Sequence, residues 1–188
     1  NGRTDGIIAA LFTGAWMPAN LGNAEPDAAG KWRVAPMPTE DGTTTNAENG
    51  GSSLTILSST KKADAAYKFI EFANHNSDGV STRVAGGAFP ADTKTMKSSS
   101  FLDTTTVKNS EGKDVDYFGG QQYNKVLAQA ASDVSTDYKF LPFEVYARGK
   151  FGDFIGASYT GKQPLSEGVA AWQKDLKSYA TSQGFTVD

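Results

Sequence analysis

Apolar residues recur at helical spacing in several segments of the chain. In the last segment Val169, Trp172, Leu176 and Tyr179 form one stripe, and charged residues lie opposite. Another helix is predicted to follow the possible N-cap residues 58–60 and to run through Asn74. Further helices are predicted over residues 77–85, 92–97, 121–131 and 143–159. Gly149, Gly152 and Gly156 weaken the helical pattern of the 143–159 segment, because glycine is a poor helix former.

Shorter apolar runs lie between these helical segments and predict β-strands. Strands are expected over residues 6–16, 32–38 and 54–57, the first running into a turn. Residues 104–117 predict either a β-hairpin or a protruding loop, with the turn at 109–112. The abundance of Gly, Ser, Thr and Ala suits a secreted, loop-rich α/β protein.

The composition removes several classes of function. The 188 residues contain no Cys and one His, which excludes thiolate zinc sites, iron–sulfur ligation and multi-His metal sites. The 18 basic and 21 acidic side chains give a formal net charge of −3, so no basic excess exists to attract nucleic acid. The longest apolar runs are too short to span a bilayer. We therefore expect no metal, no cofactor and no nucleic-acid partner.

Two sets of carboxylates could still bind a metal ion or cleave a glycosidic bond. The acidic loops around Glu40 and Glu111 lack the spacing and central Gly of a calcium loop, which favours a solvated surface. A glycosidase needs two carboxylates across the scissile bond. The sequence does not show which two carboxylates would face each other across that bond. The available acids are Asp137, Glu144, Asp153 and Glu167.

Aromatic residues stand in turns beside amide and charged side chains. This combination suits a neutral polar ligand such as a sugar, whose ring stacks on an aromatic face while its hydroxyls bond to polar groups. The candidates named on this basis are Trp16, Phe89, Phe118, Phe143, Tyr146 and Arg148.

The order of short motifs resembles one protein family. The motifs lie at residues 9–16 (A-A-L-F-T-G-A-W), 34–38 (V-A-P-M-P), 49–56 (N-G-G-S-S-L-T-I), 63–72, 87–90 (G-A-F-P), 159–167 and 172–176. These motifs and their order along the chain resemble those of family 1 extracellular solute-binding proteins, the carbohydrate receptors of ABC importers. Residues 168–169 are Gly-Val where the family usually has Ala-Leu.

The resemblance implies a two-lobed α/β fold with a hinge, of the type II periplasmic-binding-protein kind, of which this chain is the C-terminal half. Residues 1–45 would begin the C-terminal lobe, residues 46–91 would cross into the N-terminal lobe, and residues 92–188 would be the helical remainder of the C-terminal lobe. Two interlobe crossings would fall near residues 39–51 and 87–92. The N-terminal half of the receptor would lie outside the chain.

The family's function implies that the protein binds a sugar or oligosaccharide in an interlobe cleft and delivers it to the permease subunits of the importer, without catalysis. The protein would lie outside the cytoplasm, either in the periplasm or anchored by a lipid at the cell surface. Gly51 joins the six residues above as a ligand-binding candidate, since it lies in the family's Gly-Gly motif. Two alternatives remain: a carbohydrate-active enzyme domain, and a receptor of the same fold for a charged solute, for which Arg148 is the candidate.

The segment between residues 50 and 87 is too small to bury a core by itself, because domains below roughly 40 residues usually need disulfides, metal or a partner. We therefore expect the 188 residues not to be the functional unit. The apolar side chains of 54–57 and of Phe69 and Ile70 should be poorly covered in this chain alone.

Overall fold

The structure is a computed structural model that describes residues 6–187. The described residues form two compact units, one up to Thr136 and one from Asp137 onward.

The first unit is mainly helical and carries one small sheet. Its elements are α1 (Met17–Ala24), a 3₁₀ turn (Pro26–Ala28), α2 (Ala63–His75), α3 (Ser77–Ala85), α4 (Thr93–Met96), α5 (Ser99–Leu102), β1 (Val107–Lys108), β2 (Asp114–Val115) and α6 (Tyr123–Ser132). The second unit consists of α7 (Glu144–Tyr159) and α8 (Leu165–Ser182).

The helices predicted from apolar spacing are confirmed, and local capping explains several of their ends. Asn76 accepts a hydrogen bond from the Asp78 N–H at 2.9 Å and so caps the start of α3. Asp92 caps α4 in the same way through the Thr95 N–H. The possible cap at residues 58–60 is not used directly, because α2 begins at Ala63. Helix α1 and the short helix α5 were not predicted.

The strands predicted at residues 6–16, 32–38 and 54–57 are wrong for this structure, since all three segments are irregular. A strand forms only when a neighbouring strand takes up its backbone hydrogen bonds. Within residues 6–187 no such neighbour lies beside them. The side chains of Ile7 and Phe12 are accordingly 79% and 70% exposed.

The hairpin is confirmed. Strands β1 and β2 pair antiparallel, with Val107 opposite Val115. In the connecting turn the Asn109 side-chain oxygen accepts hydrogen bonds from the N–H groups of Glu111 and Lys113, at 3.0 and 2.9 Å. This side-chain-to-backbone pairing is the usual reason for Asn in tight turns.

The core of the first unit lies between α1, the hairpin and α6. Its buried apolar residues are Leu21, Ala28, Val107, Tyr117, Phe118 and Tyr123. The hydroxyl of Tyr117, which is fully buried, donates to the Glu25 carbonyl oxygen at 3.0 Å. Val34 joins the core through paired hydrogen bonds with the Gln121 side-chain amide, at 2.8 and 2.7 Å. The segment predicted as a strand at 32–38 therefore packs on the core without forming a strand.

The second unit is held together where α7 meets α8. Ile155 is fully buried, and Gly168 of α8 comes close to its side chain. The indole N–H of Trp172 donates to the Ala147 carbonyl at 3.0 Å, and its ring meets Phe151 edge-on. Trp172 of the predicted α8 stripe therefore contributes to this interface.

Two glycines of α7 offer a test of the weak helical pattern. A Cβ atom at Gly149 or Gly152 would meet no other atom within 4 Å. Gly149→Ala and Gly152→Ala should each raise the free energy of unfolding by about 0.5–1 kcal/mol, because alanine favours the helix. The measurement is urea denaturation followed by circular dichroism.

Gly79→Ala in α3 is the matched control, since its Cβ would overlap the Phe72 carbonyl oxygen. That variant should be destabilised. A loss of stability in Gly149→Ala would contradict the prediction for α7.

Candidate functional site

Trp16 occupies the position just before α1. The Met17 N–H donates to the Gly14 carbonyl at 3.1 Å, which closes a turn, and Pro18 lies in the first turn of the helix. The indole is 42% exposed, and its N–H donates to the backbone carbonyl of Asn49 at 3.1 Å. One polar edge of the ring is thus fixed while a large part of the side chain remains accessible.

Glycines permit this close approach. A Cβ at Gly14 would lie 2.5 Å from both the Asn49 carbonyl oxygen and the Trp16 indole nitrogen. Gly50 has φ +99°, and a Cβ there would be 3.1 Å from the same nitrogen. Gly51, at φ +106°, would place a Cβ 2.8 Å from a Glu48 carboxylate oxygen. Trp16 therefore contacts Asn49 and lies close to Gly50, and the predicted residue Gly51 follows them in the same irregular segment.

Gly14→Ala should break this arrangement. The added methyl group would push the indole off the Asn49 carbonyl, because neither neighbour can keep its position at 2.5 Å. The expected result is a changed chemical shift of the Trp16 indole N–H in a ¹H–¹⁵N spectrum. Gly156→Ala is the control, because its methyl group would enter open space. Gly30→Ala is unsuitable as a control, since Gly30 has positive φ. An unchanged Trp16 signal in Gly14→Ala would contradict the close contact.

Phe89 forms part of the wall of a cavity of about 410 Å³ in the first unit. Its ring meets Phe101 edge-on at 5.7 Å between centroids. Polar side chains also line the cavity, among them Thr104 and Asn124, and Lys108 pairs with Asp114 at 3.0 Å there. Trp16 is not among the lining residues. The cavity therefore combines aromatic faces with hydroxyl and amide groups.

Phe118 lies in the core, where it is 2% exposed. Its ring packs against Tyr117 and Tyr123 at centroid distances of 5.3 and 4.9 Å. This placement leaves no free ring face for a ligand, although the sequence puts Phe118 beside a Gly-Gly turn. The turn residues Gly119 and Gly120 have positive φ, as a tight turn requires.

Phe143 and Tyr146 lie in the second unit within an aromatic cluster. The rings of Tyr146 and Tyr179 stack at 3.6 Å with 7° between their planes. Phe143 contacts Tyr179 and Phe185 at 5.6 and 5.7 Å. The Tyr146 hydroxyl donates to the Asp175 carboxylate at 3.0 Å. Burial raises the pKa of the Tyr146 hydroxyl, and its hydrogen bond to Asp175 adds to this shift.

Arg148 is exposed and pairs with Glu144 at 3.2 Å across one turn of α7. Partial burial acts to raise the pKa of the Glu144 carboxyl, but hydrogen bonds from the Leu141 N–H, the Tyr138 hydroxyl and Arg148 outweigh it and hold that pKa below its usual value. The sequence did not single out Tyr138, which meets Phe140 edge-on at 5.1 Å with both rings exposed. Their spacing of two residues in a loop carries no periodic signal.

The remaining candidate chemistry concerns metal binding and the glycosidase carboxylates. Among residues 6–187 no group of His, Asp and Glu could hold a metal ion. No helix of the described part of the chain has both the length and the apolar character of a membrane span. Of the acids considered for a glycosidase, Glu144 and Asp153 are each engaged by a cation, Arg148 and Lys150 respectively.

Comparison with known proteins points to binding proteins. The sequence profile of the family described as bacterial extracellular solute-binding protein matches residues 4–80. Residues 4–80 therefore resemble that family. A solved ABC-transporter-associated binding protein from B. animalis subsp. lactis Bl-04, in complex with β-1,6-galactobiose, is 63% identical, with a TM-score of 0.87. The match covers 98% of this chain and 45% of that protein, so the chain spans about half its length. The comparison with curated proteins finds no match.

Proposed function

We propose that this chain is the C-terminal half of an extracytoplasmic binding protein that delivers a sugar or oligosaccharide to the permease subunits of an ABC importer. The observation that carries the proposal is the 63% identity, over nearly the whole chain, to a binding protein solved with a β-1,6-linked galactose disaccharide. A β-linked disaccharide is accordingly the first ligand to test. No chemical step is part of this function.

The Trp16 site fits such a ligand. Sugars present apolar faces that stack on aromatic rings, and a ring whose polar edge is already satisfied pays no extra desolvation when its face is covered. The indole N–H of Trp16 is engaged by Asn49, and the ring is partly exposed. We propose Trp16 and the irregular segment 48–51, which contains Gly51, as sugar contacts.

Four further residues are proposed as sugar contacts. Phe89 presents an aromatic wall in a cavity that also holds hydroxyl and amide groups. In the second unit, Phe143 and Tyr146 belong to an aromatic cluster, and Arg148 carries further N–H donors beyond the one given to Glu144. Phe118 is left out of the proposed set because its ring is buried.

We also propose that an N-terminal portion completes the fold into two lobes with a hinge. The support is the uncovered apolar surface of residues 46–91, the segment proposed to belong to the other lobe. Leu54, Leu57 and Phe69 are exposed, as the sequence predicts, and Leu57 reaches 73%. Helix α2 buries none of its residues although it is amphipathic. Exposed apolar faces of this kind are normally covered by a partner.

The deciding experiment is calorimetric titration of the complete receptor with β-1,6-galactobiose, its β-1,4-linked isomer, free galactose and galacturonate. Saturable binding of a neutral sugar is the expected result. Binding of galacturonate alone would replace the proposal by a receptor for charged solutes. Each sugar is recovered after the titration and analysed by chromatography, and cleavage of the disaccharide would instead establish a carbohydrate-active enzyme.

A further inference from the structure

Asn49 and Gly50 form an exposed Asn-Gly pair in an irregular segment, next to the Trp16 indole. Within residues 6–187 neither the Asn49 side-chain amide nor the Gly50 N–H takes part in a hydrogen bond. Gly50 has no Cβ to shield its nitrogen, and the backbone around it belongs to no helix or strand. The two groups that must meet for deamidation therefore have no hydrogen bond that would first have to break.

We propose that Asn49 is a site of spontaneous deamidation and isoaspartate formation, and that this change releases the Trp16 indole and weakens the sugar site. The first part stands independently of the proposed function, whereas the effect on sugar binding rests on it. The co-reactant is water.

The chemistry balances in two steps. The Gly50 backbone nitrogen attacks Cγ of Asn49, a nitrogen–Cγ bond forms, the Cγ–Nδ2 bond breaks, and the displaced amide leaves as ammonia with the proton from Gly50. The product is a cyclic succinimide. Water then opens the ring: attack at Cγ gives aspartate, while attack at the main-chain carbonyl carbon gives isoaspartate. No oxidant or reductant is consumed.

The isoaspartate product changes the acceptor on which Trp16 depends. In that product the chain continues through Cβ and Cγ, so the backbone gains one carbon between residues 49 and 50. The former Asn49 carbonyl becomes part of a free carboxylate. The indole N–H of Trp16 donates to that carbonyl at 3.1 Å, and Gly14 and Gly50 flank it closely. A longer backbone cannot keep this spacing.

Two other asparagines show why Asn49 is singled out. The Asn109 side-chain oxygen is fixed by two backbone N–H groups in the hairpin turn, and Ser110 follows it. Asn46 is fixed by a hydrogen bond to the Ala130 carbonyl, and its side-chain oxygen accepts from the Ala47 N–H at 2.8 Å, the very group that would have to attack. Both asparagines also precede a residue with a Cβ, Ala47 or Ser110, which shields the nitrogen that would have to attack, whereas Gly50 has none.

The first experiment is peptide mapping of the complete receptor during incubation at neutral to mildly alkaline pH in H₂¹⁸O. Trypsin releases residues 34–61, with Asn46 and Asn49, separately from residues 109–113, with Asn109. We expect ¹⁸O and isoaspartate at position 49 to form at least about tenfold faster than at 109, the factor given by a barrier about 1.4 kcal/mol lower. Asn49→Gln should stay unlabelled, because its ring closure would need a larger ring. Equal rates at 49 and 109 would overturn the site.

The second experiment separates the isoaspartate form by anion exchange and measures Trp16 and sugar binding. The Trp16 indole signal, assigned with Trp16→Phe, should shift, and affinity for the bound sugar should fall about tenfold or more. Asn49→Asp carries the same added charge with a normal backbone and should retain the Trp16 signal. An unshifted signal in the isoaspartate form would overturn the link to Trp16. If fresh receptor binds no sugar, the proposed function fails, and the indole signal still decides this link.

Discussion

Trp16→Ala is expected to weaken sugar binding to the complete receptor by about 1–3 kcal/mol, or roughly five- to 150-fold. The reason is the loss of an aromatic face whose orientation is fixed by the hydrogen bond to Asn49 and by the start of α1. Because Trp16 is 42% exposed, its removal should cost the folded state little. The measurement is calorimetric titration with the sugar that binds the unmodified receptor.

Trp16→Phe is the graded control. It keeps a ring for stacking but lacks the N–H that bonds to Asn49, so its affinity should lie between those of the unmodified protein and Trp16→Ala. Circular dichroism verifies that both variants fold. Unchanged affinity in folded Trp16→Ala would remove Trp16 from the site.

Tyr117→Ala should have the largest effect on stability, lowering the free energy of unfolding by about 3–5 kcal/mol. The side chain is fully buried between α1, the hairpin and α6, so its removal leaves a cavity in the core of the first unit. It also removes the donor to the Glu25 carbonyl. Urea denaturation followed by tryptophan fluorescence, with Trp32 packed against this core, provides the measurement.

Two variants separate the contributions at Tyr117. Tyr117→Phe retains the ring and should cost only about 1 kcal/mol, the usual net value of one hydrogen bond. Tyr159→Ala removes the same side chain from the end of α7, where it is 76% exposed, and should change stability by less than about 0.5 kcal/mol. A similar loss in Tyr159→Ala and Tyr117→Ala would contradict the assignment of the core.

Helices were predictable from the sequence because their determinants are local. The α8 stripe and the cap at Asn76 lie within a few residues of the elements they specify; the helix with the stripe is found as expected, whereas the cap was not predicted. Strands depend on a partner elsewhere in the chain. The apolar runs at 6–16 and 54–57 carry the composition of strands, but no described residue supplies the neighbouring strand.

Parts of the candidate site depended on pairings that have no sequence signal. The Trp16 indole meets the Asn49 carbonyl 33 residues away, and Tyr146 stacks on Tyr179 of the following helix. The sequence identified Trp16 and Tyr146 from their residue types and the family resemblance, but not these partners. Phe118 shows the opposite case: its turn-flanking position suggested a ligand contact, while the packing of three aromatic rings buries it.

The hydrogen bond between Tyr117 and Glu25 limits when the core can form during synthesis of the chain. It joins residues 92 positions apart, and Val34 and Gln121 are separated by 87. The core therefore has high contact order. Its N-terminal residues can pack only after residues near 117–123 have left the ribosome. During that interval Leu21 and Ala28 lack their partners, while α2 and α3 can already form. Slowing translation between residues 50 and 91 should lengthen the exposure of these apolar groups to chaperones and proteases.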